Sequence, residues 1–149
     1  PARPGRVAQI GRPEEVYNDP ADAFVADFIG TSAFLSGTVK QAVAGRTAVV
    51  LPDGQILLAA VNREVPEGAR ATVAIRPEQL VVRAGRGEPE VGDGTTLKAP
   101  VRARAYMGAR YQYDLDVCGQ ILKVDSLHAL DEGELTVWIP ATACIAFKA

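Results

Sequence analysis

The phrase GQILLAAVNREVPEG at 54–68 returns as GQILKVDSLHALDEG at 119–133, without a gap and 65 residues later. Six of the fifteen positions are identical, including the Gly-Gln-Ile-Leu opening and the Glu-Gly close. A further echo follows in VAIRPE, ending near Pro77, and TVWIP, ending at Pro140, with a slip of two residues. A repeat of this kind implies two copies of one small supersecondary unit, or two units that converged on the same turn chemistry. It therefore constrains the chain more than any single motif does.

Within each unit the apolar residues recur with a period near two, which is the period of strands. The first unit predicts strands near 35–42, 46–51, 55–61, 70–76 and 79–83, with PDG at 52–54 as a tight turn. The stretch 84–96, AGRGEPEVGDGTT, reads as a linker or long exposed loop. In the second unit Tyr111, Tyr113, Leu115 and Val117 share one strand face, and Gln112, Asp114, Asp116 and Cys118 share the other. Short strands punctuated by glycine and proline suit small five-stranded barrels, in which closure removes the exposed edges. An open sandwich is the alternative.

The first 30 residues differ. Residues 6–10 alternate as a short strand would, and then two proline-led helical patterns follow. Pro13 with Glu14 and Glu15 reads as a first helical turn, with carboxylates facing its positive end. Asn18 and Asp19 cap a second helix that Pro20 opens and Gly30 ends. On that helix Phe24 and Phe28 stand four apart beside Val25 and Ile29, leaving Asp22 and Asp27 off the stripe. A helix of about ten residues is marginal alone, so this stripe is expected to dock on the rest of the protein or on another copy.

Several chemistries lack their residues. The segment VAGRTAV at 43–49 has neither the spacing nor the lysine of a phosphate-binding loop. No G-x-S-x-G elbow occurs, and His128 is the sole histidine, so a triad has one base to choose from. Cys118 and Cys144 are too distant in sequence for a local metal knuckle, and read as free thiols in or near a core. The formal net charge is -2, and aromatics make up 6% of the chain. Residues 31–87 carry seven basic and four acidic groups, and residues 88–149 six and nine. Neither balance nor stacking residues favour nucleic acid. No run approaches the ~18 apolar residues of a membrane helix, so the chain reads as soluble and intracellular.

Three clusters remain as site candidates. In IRPE, Arg76 and Glu78 flank Pro77, and either staple a barrel corner or present a donor and an acceptor to a ligand or partner. Asp114 and Asp116 project to one side of a strand, where they suit a shared cation or simply a wet face. Arg102 and Arg104, with Arg76, are candidate donors to a small oxyanion.

These stretches also carry a family likeness. QIGRPEEVYNDPADAFVADFIG resembles the junction after the nucleotide-binding core in ATPase subunits of bacterial ABC importers. SGTV at 36–39, GARATVAIRPEQL at 68–80 and ARAYMGARYQYDLDV with GQILKV over 103–124 resemble the transport-associated OB (TOBE) region that comes next. The resemblance, to the polyamine, iron, sulfate and maltose importer type, covers roughly residues 6–148. It departs at Ala33, where an asparagine is common, and at Arg12, where a threonine cap is common.

The resemblance implies a mainly β fold of two OB-like barrels, able to exchange strands with each other, preceded by two short helices. The expected division is a 1–30 remnant of an ATPase domain, a first unit at 31–87 and a second at 88–149. It implies a non-catalytic regulatory and dimerisation region, with no cofactor in this chain and with ATP and Mg held by a domain outside it. The implied partners are a second copy of the subunit, an upstream ATPase domain and the transporter's membrane subunits. A small anion or regulatory protein is a further implied partner, at the cytoplasmic face of the membrane. Phe24, Phe28, Arg76, Pro77 and Glu78 become expected structural or interface residues.

Overall fold

A computed structural model describes residues 33–84 and 92–148 of the chain. The short strand over 6–10, both N-terminal helices, and with them Phe24 and Phe28, lie outside the described residues.

The described chain is mainly β. Its strands are β1 (Ala33–Val43), β2 (Arg46–Val50), β3 (Ile56–Ala59), β4 (Val61–Asn62), β5 (Arg70–Ile75) and β6 (Val81–Ala84). They continue as β7 (Gly94–Tyr106), β8 (Tyr111–Val117), β9 (Gln120–Ser126), β10 (Glu134–Pro140) and β11 (Cys144–Lys148). Short 3-10 turns at Pro77–Gln79 and Ala141–Ala143 precede β6 and β11.

Two sheets form, ordered β3-β2-β1-β5-β11-β4 and β6-β10-β7-β8-β9. Each curls into a barrel-like OB-type unit. The repeat is realised as pseudo-symmetry. Leu35 faces Val73 across β1 and β5, and Leu97 faces Val137 across β7 and β10. Each half ends in a 3-10 turn and a short strand, and that strand joins the other half's sheet. Thus β11 pairs with β5, placing Ala146 opposite Val73. Correspondingly, β6 pairs with β10, placing Val82 opposite Val137. One equivalent register serves both exchanges.

Exchange merges the interiors. Leu35, Val49, Leu57, Val73 and Ile75 from the first half pack in one continuous cluster with Leu97, Leu115, Leu122 and Ile139 from the second. All are essentially inaccessible, so each contributes about 1.5–3 kcal/mol of apolar burial to a shared core.

Three local expectations need correction. Gly94–Thr96, placed by sequence in a linker, are the first residues of β7 and pair with Trp138–Pro140. Their glycine and threonines carry no alternating apolar signal, and pairing with β10 decides their conformation. The strand expected over 79–83 begins only at Val81, because Pro77 starts a 3-10 turn. Cys118 is not on the wet strand face; with Gly119 it forms the two-residue β8–β9 turn, at φ 55° and 84°. Two consecutive positive φ angles suit the twist of a tight hairpin.

Candidate functional site

The repeated glutamines link the two halves. Gln55 accepts from the Lys98 amide at 2.8 Å and donates to the Lys98 carbonyl at 3.1 Å. Gln120 accepts from the Ser36 amide at 3.0 Å. Ser36 and Lys98 are equivalent positions of β1 and β7, so each repeat's glutamine reaches the opposite half's first strand. An amide side chain has both a donor and an acceptor, so it can stand in for a missing backbone partner. Asp53 steadies the first of these by accepting from Gln55 Nε2 at 2.8 Å. The Gln55 backbone amide, with smaller help from its side chain, holds the Asp53 carboxyl below the usual carboxylate range. A third link was not foreseen from sequence. Arg46 at the start of β2 grips both carboxylate oxygens of Asp93, at 2.5 Å to the nearer. Its charge-assisted bonds hold Asp93 below its ordinary pKa.

The IRPE corner sits where the halves exchange. Arg76 and Glu78 lie 3.7 Å apart across Pro77. The Arg76 amide donates to the carbonyl of Ala143 at 2.9 Å, tying this corner to the other half's 3-10 turn.

Asp114 and Asp116 are drawn to opposite neighbours of β8. Asp114 accepts from Lys123 of β9 at 2.9 Å, and Asp116 from Arg102 of β7 at 2.7 Å. The Gly119 amide, then Arg102, hold Asp116 below the usual carboxylate range. Arg104 donates to the carbonyl of Leu130 at 3.2 Å and to that of Glu132, which fastens the β9–β10 connection. The buried Tyr113 hydroxyl anchors the same connection, accepting from the Leu130 amide at 2.7 Å and donating to the His128 carbonyl at 3.0 Å. Of the two thiols, burial pushes Cys144 up to about 12, and Cys118 is raised chiefly by desolvation.

The halves differ at one seam. In the first, β3 and β4 form a single strand bent at Ala60. The Ala60 amide donates to Ala141 at 2.9 Å and that of Arg63 to Ala146 at 2.8 Å. Val61 then pairs in parallel with Ile145, which closes the barrel. In the second, the equivalent partners are β6 and the end of β9, and among the described residues no ladder joins them. A groove of ≈ 810 Å³ lies between the start of β1 with the Pro77–Leu80 turn and β9, with Phe34, Leu80, Ile121 and Leu127 on its apolar wall and Arg110 and Lys123 beside them.

Comparison with known proteins agrees with this architecture. The TOBE domain family matches residues 73–147. The spermidine/putrescine import ATP-binding protein PotA of Pseudomonas fluorescens is 36% identical over 113 residues, covering 76% of this chain and 29% of that protein. PotA of Rubrobacter xylanophilus is 42% identical over 117 residues, covering 74% and 28%. The sn-glycerol-3-phosphate import ATP-binding protein UgpC of Chromohalobacter salexigens is 35% identical, covering 97% and 38%. The chain thus spans about a third of the length of these relatives. Among solved structures, the cytoplasmic molybdate-binding protein ModG superposes with a TM-score of 0.57 at 14% identity, covering 76% of this chain and 93% of that one, and supports the fold. This chain belongs to the TOBE domain family, in the form found in ATP-binding subunits of bacterial ABC importers.

Proposed function

We propose that this chain is the regulatory and dimerisation region of an importer's ATP-binding subunit, acting without catalysis of its own. The observation that carries this reading is the pair of exchanged barrels sharing one core, in a chain related to importer ATP-binding subunits. A rigid body of this kind can hold two subunits together while their ATPase domains open and close, and a bound effector can bias that cycle. ATP and Mg would be held by the ATPase domain, and the assembly would work at the cytoplasmic face beside the transporter's membrane subunits. In this reading Arg76, Pro77 and Glu78 keep the exchange corner rigid.

Sedimentation of the purified chain at rising concentration tests the dimerisation role. Reversible self-association is expected, and a monomer at every concentration contradicts it. ATP turnover above background that survives further purification would contradict the non-catalytic part.

The second reading, a small-oxyanion module, draws on Arg76, Arg102 and Arg104. It has less support, because Arg102 and Arg104 already spend donors on Asp116 and on the carbonyls of Leu130 and Glu132. Calorimetry against molybdate, sulfate, phosphate and polyamines separates the two, with heat of binding favouring the second.

A further inference from the structure

We infer that the groove along β9 seats a second copy of this chain, with the two β9 strands lying antiparallel across a two-fold axis beside Val124. The inference rests on the dimerisation reading and deepens it by naming the surface. It starts from the order of side chains on β9. Leu122 and Val124 point into the core, which turns Ile121, Lys123 and Asp125 outward. Leu127, just beyond the strand, joins these three along the groove. In chain order the four are apolar, basic, acidic and apolar. Turned end over end, the same row sets Ile121 against the partner's Leu127 and Lys123 against the partner's Asp125, and each pairing occurs twice. A two-fold interface demands such self-complementarity, because one patch must serve both sides.

Other features of the groove favour the same occupant. β9 is the last strand of its sheet among the described residues, so no further strand flanks it there. Ile121 and Leu127 are 42% and 70% exposed, and they bracket the charged centre of the row. The charges balance, with Arg110 and Lys123 set against Glu78 and Asp125. A neutral, mixed lining favours neither a polyanion nor a polycation and suits a copy of itself. Lys123 and Asp125 also have partners within the chain, Asp114 at 2.9 Å and Arg110 at 3.1 Å. An ammonium has three donors and a carboxylate about four acceptor positions, so each keeps capacity for a partner across the axis.

The test exchanges the two charges in the full chain and follows self-association by sedimentation. Lys123→Asp and Asp125→Lys each set like charges opposite one another at two places, so each should weaken the dimer about tenfold. Combining them reverses the row and restores attraction across the axis, so the double variant should return to within about threefold of the parent. Inside the chain the combination does the opposite, facing Asp114 and Arg110 with charges of their own sign. A double variant no tighter than either single therefore assigns the effect to the internal pairs and overturns the inference. A dimer indifferent to all three variants overturns it too, while leaving dimerisation to another surface. A parent chain that is monomeric at every concentration overturns both. Leu127→Asp changes a 70% exposed side chain outside the strand, which spares the fold should a charge variant fail to form it. It should also weaken association about tenfold, and unchanged association overturns the inference.

Discussion

The two halves repeat one plan, yet their exchanged strands live in different surroundings. β11 inserts between β5 and β4 and is buried along four consecutive residues, whereas β6 pairs, among the described residues, with β10 alone and alternates exposed and half-buried positions. The sequences match their settings. CIAF is apolar on both faces, as a strand covered on both sides must be. VVRA carries an arginine on its open side. The two halves thus share one pairing plan, and the differing residues of CIAF and VVRA accompany unlike seams.

That asymmetry can be broken most forcefully at equivalent positions. Ile145 and Val81 correspond across the exchange, 1% and 40% exposed. Ile145→Ala is expected to cost about 2–5 kcal/mol by leaving a cavity, whereas Val81→Ala should stay within about 0.5 kcal/mol. Similar losses in urea melts would mean that both seams are equally packed.

The next largest contrast is between Gly37 and its counterpart Ala99. A methyl group added at Gly37 would stand 2.6 Å from the Val50 carbonyl oxygen and 2.7 Å from Val49 Cγ1. Gly37→Ala should thus destabilise by about 1–3 kcal/mol through overpacking. Ala99→Gly should cost only about 0.5–1 kcal/mol, mainly in backbone entropy. Chemical denaturation of both variants reads the difference, and a harmless Gly37→Ala would show that β1 and β2 can part.

Smaller effects are expected at the bridging glutamines. Gln55 makes two bonds to the β7 backbone and Gln120 makes one to β1. Gln55→Ala should cost about 1–2 kcal/mol and Gln120→Ala about 0.5–1.5 kcal/mol, and the double variant reveals whether the links act independently.

The cysteines give a pH contrast. The Cys144 thiol has a folded pKa of about 12, above the ~8.5 of an unfolded thiol. Below ~8.5 both states are protonated and its contribution is complete. As pH rises from there toward 12 the unfolded state ionises first, and stability falls by up to about 1.4 kcal/mol per unit. Melts from pH 8 to 11 should show a shallower alkaline decline in Cys144→Ala than in the parent chain. On the acid side, the depressed carboxyls of Asp53, Asp93 and Asp116 contribute stability that is complete above the ordinary carboxylate range and lost as pH falls through their lowered values.

Much of the plan was readable in the chain. The GQIL repeat and the period-two strands announced two similar β units, and the Tyr111–Val117 alternation placed the correct face of β8 inward. The partner of each terminal strand was not readable. VVRA and CIAF follow equivalent turns, and nothing local distinguishes folding back on the parent sheet from crossing to the other. Only the shared register of the two exchanges shows it. The Arg46–Asp93 link spans 47 residues between unremarkable positions, which a periodicity argument cannot see. Among the charged candidates, sequence placed Asp114 and Asp116 on one face. Their cations came from β9 and β7, whose positions depend on strand order.

The central claim is that exchange makes the two halves one cooperative body. Trp138 of β10, the sole tryptophan, reports on the second sheet by fluorescence. Residue-resolved amide exchange of β1 and β2 reports on the first. Through a urea titration the exchange-derived opening free energies of Leu35, Val39 and Val49 should converge on the global value that Trp138 gives, with a single midpoint. Two separated midpoints, one for each sheet, would contradict the exchange and restore two independent barrels.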